Sequence, residues 1–183
     1  MPSPIGHVLA GAAVVWAADA IDRRPSSRRL VVTCALLGAV ADVDLLLPRY
    51  HRSITHSVTA VVVVLIVAAA VTGGVTRWRV ALVCAAAYAS HLFLDWLGAD
   101  TLPPAGLQAL WPFADRFFVS GLNLFAETER RHPFSGPTLY QNLRAAAQEA
   151  AILAPVAVAM WLIRVKALAR FPSEVPRRDH TTQ

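Results

Sequence analysis

Apolar residues in this chain come in blocks rather than in stripes. They fill roughly residues 5 to 21, 29 to 48, 57 to 76, 78 to 97 and 145 to 166, with polar residues gathered between them. A helix rises about 1.5 Å per residue, so about 20 residues cross the hydrocarbon core of a bilayer. The second, third and fourth blocks meet that length, and the run from Val58 to Val71 holds neither a charge nor a strong helix breaker. Trp78 and Trp96 stand at the two ends of the fourth block, where aromatic anchors meet the membrane interface. The first block is short and carries Asp19, a costly residue in a span. The pattern predicts an all-α integral membrane bundle of about five transmembrane helices.

The connection at residues 98 to 144 is rich in Pro, Gly and charge, and contains one apolar segment, Gly106 to Phe118, too short to span. It reads as a re-entrant or interfacial piece between the fourth and fifth helices, capping what lies beneath. Residues 171 to 183 are polar and read as a disordered cytoplasmic tail, leaving 1 to 170 as a single transmembrane domain. Small residues in the Ala- and Val-rich helices permit close packing in lipid.

Composition agrees with this picture. Of 183 residues, 56% are hydrophobic, above the roughly 45–50% usual in soluble domains. The N-terminus MPSPIGH has no basic residue ahead of its apolar stretch, so the first block is expected to be retained rather than cleaved as a signal. Cys34 and Cys84 lie mid-block, where a thiol acts as a small hydrophobe, and argue for neither a disulfide nor a zinc knuckle.

The net charge of +5 is scattered at block ends instead of forming one stripe, so no nucleic-acid partner is expected. With five spans, Arg23, Arg24, Arg28, Arg29, Arg77, Arg79, Arg164, Lys166, Arg170, Arg177 and Arg178 share one side, and Arg49, Arg52, Arg116, Arg130, Arg131 and Arg144 the other. That bias places the C-terminus in the cytoplasm and the N-terminus outside an inner-membrane protein.

On this map His7, Asp42, Asp44, His51, His56, His91, Asp95 and Glu149 all fall at the outer face. An ionisable group inside a membrane helix costs roughly 2.5 to 3.5 kcal/mol on insertion scales, and a divalent cation would offset that cost for several carboxylates at once. His91 and Asp95 are four apart, on one helix face, as two ligands of one ion would be. Asp42 and Asp44 point about 200° apart on an ideal helix, so both face a site only if the helix frays before Pro48. His51-Arg-Ser-Ile-Thr-His56-Ser reads as a turn entering a helix, with Ser53 or Thr55 as N-cap. It would present two imidazoles and Arg52 where anions are favoured. Mixed imidazole and carboxylate ligands point first to zinc, then manganese or iron, with one or two ions. His132 and His180 lie outside this constellation, and Trp111-Pro112 reads as an anchor or packing element.

Gly6-His7, Asp42-Val-Asp44, His51-Arg-Ser-Ile-Thr-His56-Ser57, His91-Leu-Phe-Leu-Asp95 and Pro104-Ala-Gly106 to Trp111-Pro112 together resemble the YdjM family of membrane-bound, predicted metal-dependent hydrolases, over about residues 1 to 113. Ala41 and Ser53 stand where that family usually has Pro and Gly. The resemblance implies a hydrolase with His7, Asp42, His51, His56, His91 and Asp95 as metal ligands. The family's ligand style is in turn similar to that of the zinc phospholipase C group, which supplies the expected substrate, a phosphoester of a lipid or lipid-linked molecule. In such a reaction Asp44 or Glu149 would handle protons and Arg52 would hold the substrate anion. The other reading is a non-hydrolytic metal-binding membrane protein, an ion transporter or sensor. Against it, the cytoplasmic halves of spans two to four are plain Ala, Val and Leu.

Overall fold

The computed structural model describes residues 2–46, 52–101, 103–129 and 135–170. His51, His132, His180 and the tail at 171–183 lie outside these. The regular elements of the described chain are all helices: α1 is Pro4–Asp22, α2 Arg28–Val40, α3 Val58–Val71, α4 Arg77–Leu97 and α5 Gly136–Arg170. Among the described residues there is no β-strand, only two isolated bridges. Three helices, α1, α4 and α5, are long and apolar enough to cross a membrane, while α2 and α3 have 13 and 14 residues.

Three boundaries differ from the hydropathy pattern. The α-helix of the second block stops at Val40 and tightens into a 3-10 helix over Ala41–Leu46. That change of winding occurs at Asp42 and Asp44, whose side chains are both buried. The third block ends at Val71, ahead of Gly73 and Gly74, and Gly74 takes the left-handed conformation with φ 76°. The fifth helix starts at Gly136, nine residues before the apolar block. Its 35 residues extend about 52 Å, well beyond the roughly 30 Å of a bilayer core.

Packing places α1 and α4 at the centre. Helix α5 lies on α1, α2 lies on both α1 and α4, and α3 leans on α4. Helix α3 is apolar all round, and Val63, Ile66, Val67 and Val71 are left exposed, as befits a helix facing lipid. Helices α1 and α2 cross almost backbone to backbone. A Cβ on Gly11 would lie 2.3 Å from the Cys34 carbonyl oxygen, and one on Gly38 would lie 2.3 Å from that of His7. Only glycine fits at either place, and the crossing brings His7 up against α2. Cys34 and Cys84 are free thiols in the core.

Asp19, awkward in the sequence, is explained at the far end of α1. Its buried carboxylate accepts from the Ser26 amide at 3.0 Å, the Ser26 hydroxyl at 2.6 Å, Arg79 Nη2 at 2.9 Å and Arg164 Nε at 2.6 Å. Arg79 also donates to Asp22 at 2.8 Å. The cluster clasps α1, α4 and α5 together, with each charge partnered, the condition under which buried charge is tolerated.

Beyond α4 the chain folds back over the other end of the bundle. Ala99 N–H donates to the Phe125 carbonyl at 2.8 Å and Leu124 N–H to that of Leu97 at 2.9 Å. The Gly106 to Phe118 segment is not helical: Leu107 and Phe118 pair, and Val58 N–H at the start of α3 donates to Ala109 O at 2.9 Å. Gly106 has φ 99°, and a Cβ there would meet Phe118 O at 2.4 Å.

Candidate metal centre

Four stretches of chain meet at this covered end. Helix α1 brings His7 in its first turn, the 3-10 helix brings Asp42 and Asp44, the turn before α3 brings His56, and the last turns of α4 bring His91 and Asp95. All six are buried, with His7, His56 and His91 fully enclosed.

The four-residue spacing of His91 and Asp95 puts both on one face of α4. His91 Nδ1 lies 2.8 Å from the Gly38 carbonyl, which can only accept, so Nδ1 carries the proton and Nε2 bears the lone pair. His56 Nδ1 lies 3.0 Å from Asp44 Oδ2, so it too presents Nε2 inward. A carboxylate or carbonyl behind an imidazole fixes its tautomer and raises its basicity as a ligand.

The two Nε2 atoms are 3.1 Å apart, and Asp95 Oδ2 is 3.2 Å from each. Zinc bound to nitrogen at about 2.0–2.1 Å in a tetrahedron would separate its ligand atoms by about 3.3 Å. The triangle is therefore close to one face of such a tetrahedron. Asp42 Oδ1 lies 3.9 Å from both Nε2 atoms, and His7 Nε2 lies 3.4 Å from Asp95 Oδ1. The His7 ring stacks on His91 with centroids 3.8 Å apart. Both ring nitrogens of His7 and both oxygens of Asp95 are buried without a hydrogen bond among the described residues. Orphaned groups of this kind, converging from separate segments, are costly unless an ion satisfies them. The donor set fits a divalent cation.

Two overlapping groups could hold one, His7 with His91 and Asp95, or Asp42 with His56 and His91. His91 belongs to both groups, and with Nδ1 held by the Gly38 carbonyl it has only Nε2 to give either of them.

The other residues expected here take supporting positions. Asp44 Oδ2 accepts from the Arg52 amide at 3.1 Å and Thr55 Oγ1 at 2.5 Å as well as facing His56, so it builds the turn and orients the imidazole. The Arg52 guanidinium pairs with Asp100, which also accepts from Gly106 N–H at 2.6 Å. Glu149 is fully buried, and its carboxylate receives the Ser3 amide at 2.7 Å and the Ser3 hydroxyl. Ser3 O in turn accepts from His7 N–H at 3.4 Å, so Glu149 anchors the turn that carries His7. The helix cap is Ser57, not Ser53 or Thr55: its hydroxyl accepts from Ala60 N–H at 3.2 Å, which leaves Thr55 for Asp44.

Gly38, Asp100 and Ser3 contribute to this end through contacts with residues distant in sequence. Gly38 could have been suspected as a small residue in a span, whereas Asp100 and Ser3 carry no local signal.

A cavity of about 500 Å³ adjoins the centre, with Asp42 in its wall beside Pro4, Leu45, Leu139, Leu143 and Ala146. No cation lines it among the described residues.

The family model described as YdjM inner membrane protein matches residues 1–170. The chain therefore belongs to that family, and the match continues past the motif-bearing part to the end of α5. Comparison with curated proteins and with solved structures finds no match.

Proposed function

We propose that this member of the YdjM family is a membrane-bound metal-dependent hydrolase, acting on a phosphoester of a lipid or lipid-linked molecule at the outer face of the inner membrane. One observation carries the reading: imidazoles and carboxylates from four separate segments converge, buried, at one end of the bundle, with orphaned atoms on His7 and Asp95. His56, His91 and Asp95 would hold a single zinc ion, with His7 and Asp42 completing the set, and manganese or iron as substitutes. When bound, such an ion polarises a phosphoryl oxygen and acidifies water.

The chain's own residues do the rest. Asp44 and Gly38 hold the two imidazoles in the ligating tautomer, Glu149 seats the His7 turn, and the apolar wall of Leu45, Leu139 and Leu143 receives a hydrophobic substrate.

In the membrane the bundle makes five spans. The 3-10 helix extends α2 and the turn at residues 52–57 extends α3 at the outer end, with the Gly106 to Phe118 segment capping the site there. The arginine bias places the Asp19 end and the C-terminus in the cytoplasm.

Metal analysis of purified protein beside His91→Ala, followed by a panel of phospholipids and generic phosphodiester, carboxylic ester and amide substrates, tests the reading. Chelator-sensitive cleavage of phosphoesters, restored by zinc or manganese, is expected. Cleavage confined to esters or amides would remove the phosphoester assignment, and bound metal without any cleavage would favour an ion transporter or sensor.

A further inference from the structure

The end of the bundle opposite the candidate metal centre has a feature that hydrolysis does not use. Helix α3 leans on α4 and stands away from α2, and the gap between α2 and α3 is a groove of about 610 Å³ floored by Val80 and Cys84 of α4. That size lies within the range of small-molecule and lipid sites. Its walls are apolar, and Val63, Val67 and Val71 stand 53%, 53% and 77% exposed, so it opens toward the hydrocarbon.

The rim at the arginine-rich end is of different chemistry. Arg29, Ser27, Thr72 and Thr76 line it. The Ser27 hydroxyl accepts from Leu30 N–H at 3.2 Å, which leaves its proton free to donate. Thr76 precedes the first turn of α4 without a side-chain capping bond. Arg79, also on the rim, is committed to Asp19 and Asp22, whereas Arg28 and Arg29 are exposed and have no carboxylate partner among the described residues. Residues 19–29 and 76–80 carry six arginines against two aspartates, and both aspartates are taken by Arg79. A positively charged hydroxyl-bearing rim above an apolar groove is complementary to one kind of molecule in the surrounding bilayer.

We propose that the groove between α2 and α3 holds an anionic phospholipid, its acyl chain along Val63, Val67 and Val80 and its phosphate at Ser27, Arg29 and Thr76. Guanidinium and hydroxyl donors meet the phosphate oxygens, and the N-terminus of α2 adds its positive dipole end. The lipid fills the space that α3 leaves open and so ties that helix to α2. The site is independent of the metal centre and of any reaction there.

The test uses the full chain in nanodiscs of phosphatidylcholine containing a minor fraction of phosphatidylglycerol, released into neutral detergent and weighed intact by native mass spectrometry. Phosphatidylglycerol should be retained in preference to phosphatidylcholine. Arg29→Ala should weaken retention about fivefold, the worth of one basic side chain near an anionic surface. Val67→Trp, which fills the groove, should abolish it. Arg28→Ala, one residue away and outside the groove, should retain lipid as the parent does. Equal retention of the two lipids, or equal loss in the Arg28 and Arg29 variants, would reduce the groove to ordinary annular contact and overturn the proposal. A lipid-free dimer crosslinked through Val67→Cys would overturn it too, by showing that a second copy covers the groove.

Discussion

His91 enters the candidate centre with its protonation pattern decided by the backbone of another helix, and His56 with its own decided by Asp44. A side chain that never touches an ion can thus govern affinity for it. Asp44→Ala should lower zinc affinity by about 10- to 100-fold in competitive titration while the ligating atoms remain; affinity equal to the parent's would mean that His56 needs no orienting partner. Proton and ion compete for the same imidazole, so zinc affinity should rise with pH as the ligating imidazoles give up their protons, and zinc titration over a pH series checks the sign.

Among elements, the crossing of α1 and α2 sets how closely His7 approaches His91. Gly38→Ala forces a methyl to within 2.3 Å of the His7 carbonyl and should cost about 1–3 kcal/mol of stability by denaturant unfolding. Gly73→Ala, where a Cβ meets nothing, should be near neutral, and equal effects would mean the crossing is loose. Neither glycine stands out in a hydropathy pattern, because closeness of backbones is a property of two helices and not of one. The five helices themselves were legible as apolar blocks, and three of them are long and apolar enough to cross a membrane. The start of α5 at Gly136 was not: residues 136–149 mix polar and small side chains, and hydropathy marks lipid exposure rather than helix. The same logic divides the site. His7, Asp42, His56, His91 and Asp95 were conspicuous as ionisable groups at apolar blocks. The attachments of Asp44 to the Arg52 amide and of Arg52 to Asp100 depend on loop geometry that no periodicity encodes.

Over the whole molecule the polar residues divide between two ends, with imidazoles and carboxylates at one and the Asp19 clasp at the other. The clasp holds three helices without contributing to the site. Asp19→Ala would leave Arg164 without its carboxylate and Arg79 with Asp22 alone, and should lower stability by about 3 kcal/mol in detergent melting, with the metal content of the folded fraction unchanged. Loss of metal in step with loss of stability would show the two ends to be coupled. The joint between Glu149 and Ser3 has a consequence of another kind. Every described residue of the candidate ligand set lies between positions 7 and 95, yet the side chain that anchors the first of them belongs to α5, which leaves the ribosome after all of them. While α5 is still being made, His56, His91 and Asp95 can already meet, but the turn bearing His7 lacks its Glu149 anchor and relies on the α1–α2 crossing alone. The order of synthesis therefore makes completion of the centre a late event in the life of the chain, and a membrane that receives an unfinished copy receives one in which the joint between Ser3 and Glu149 has yet to form.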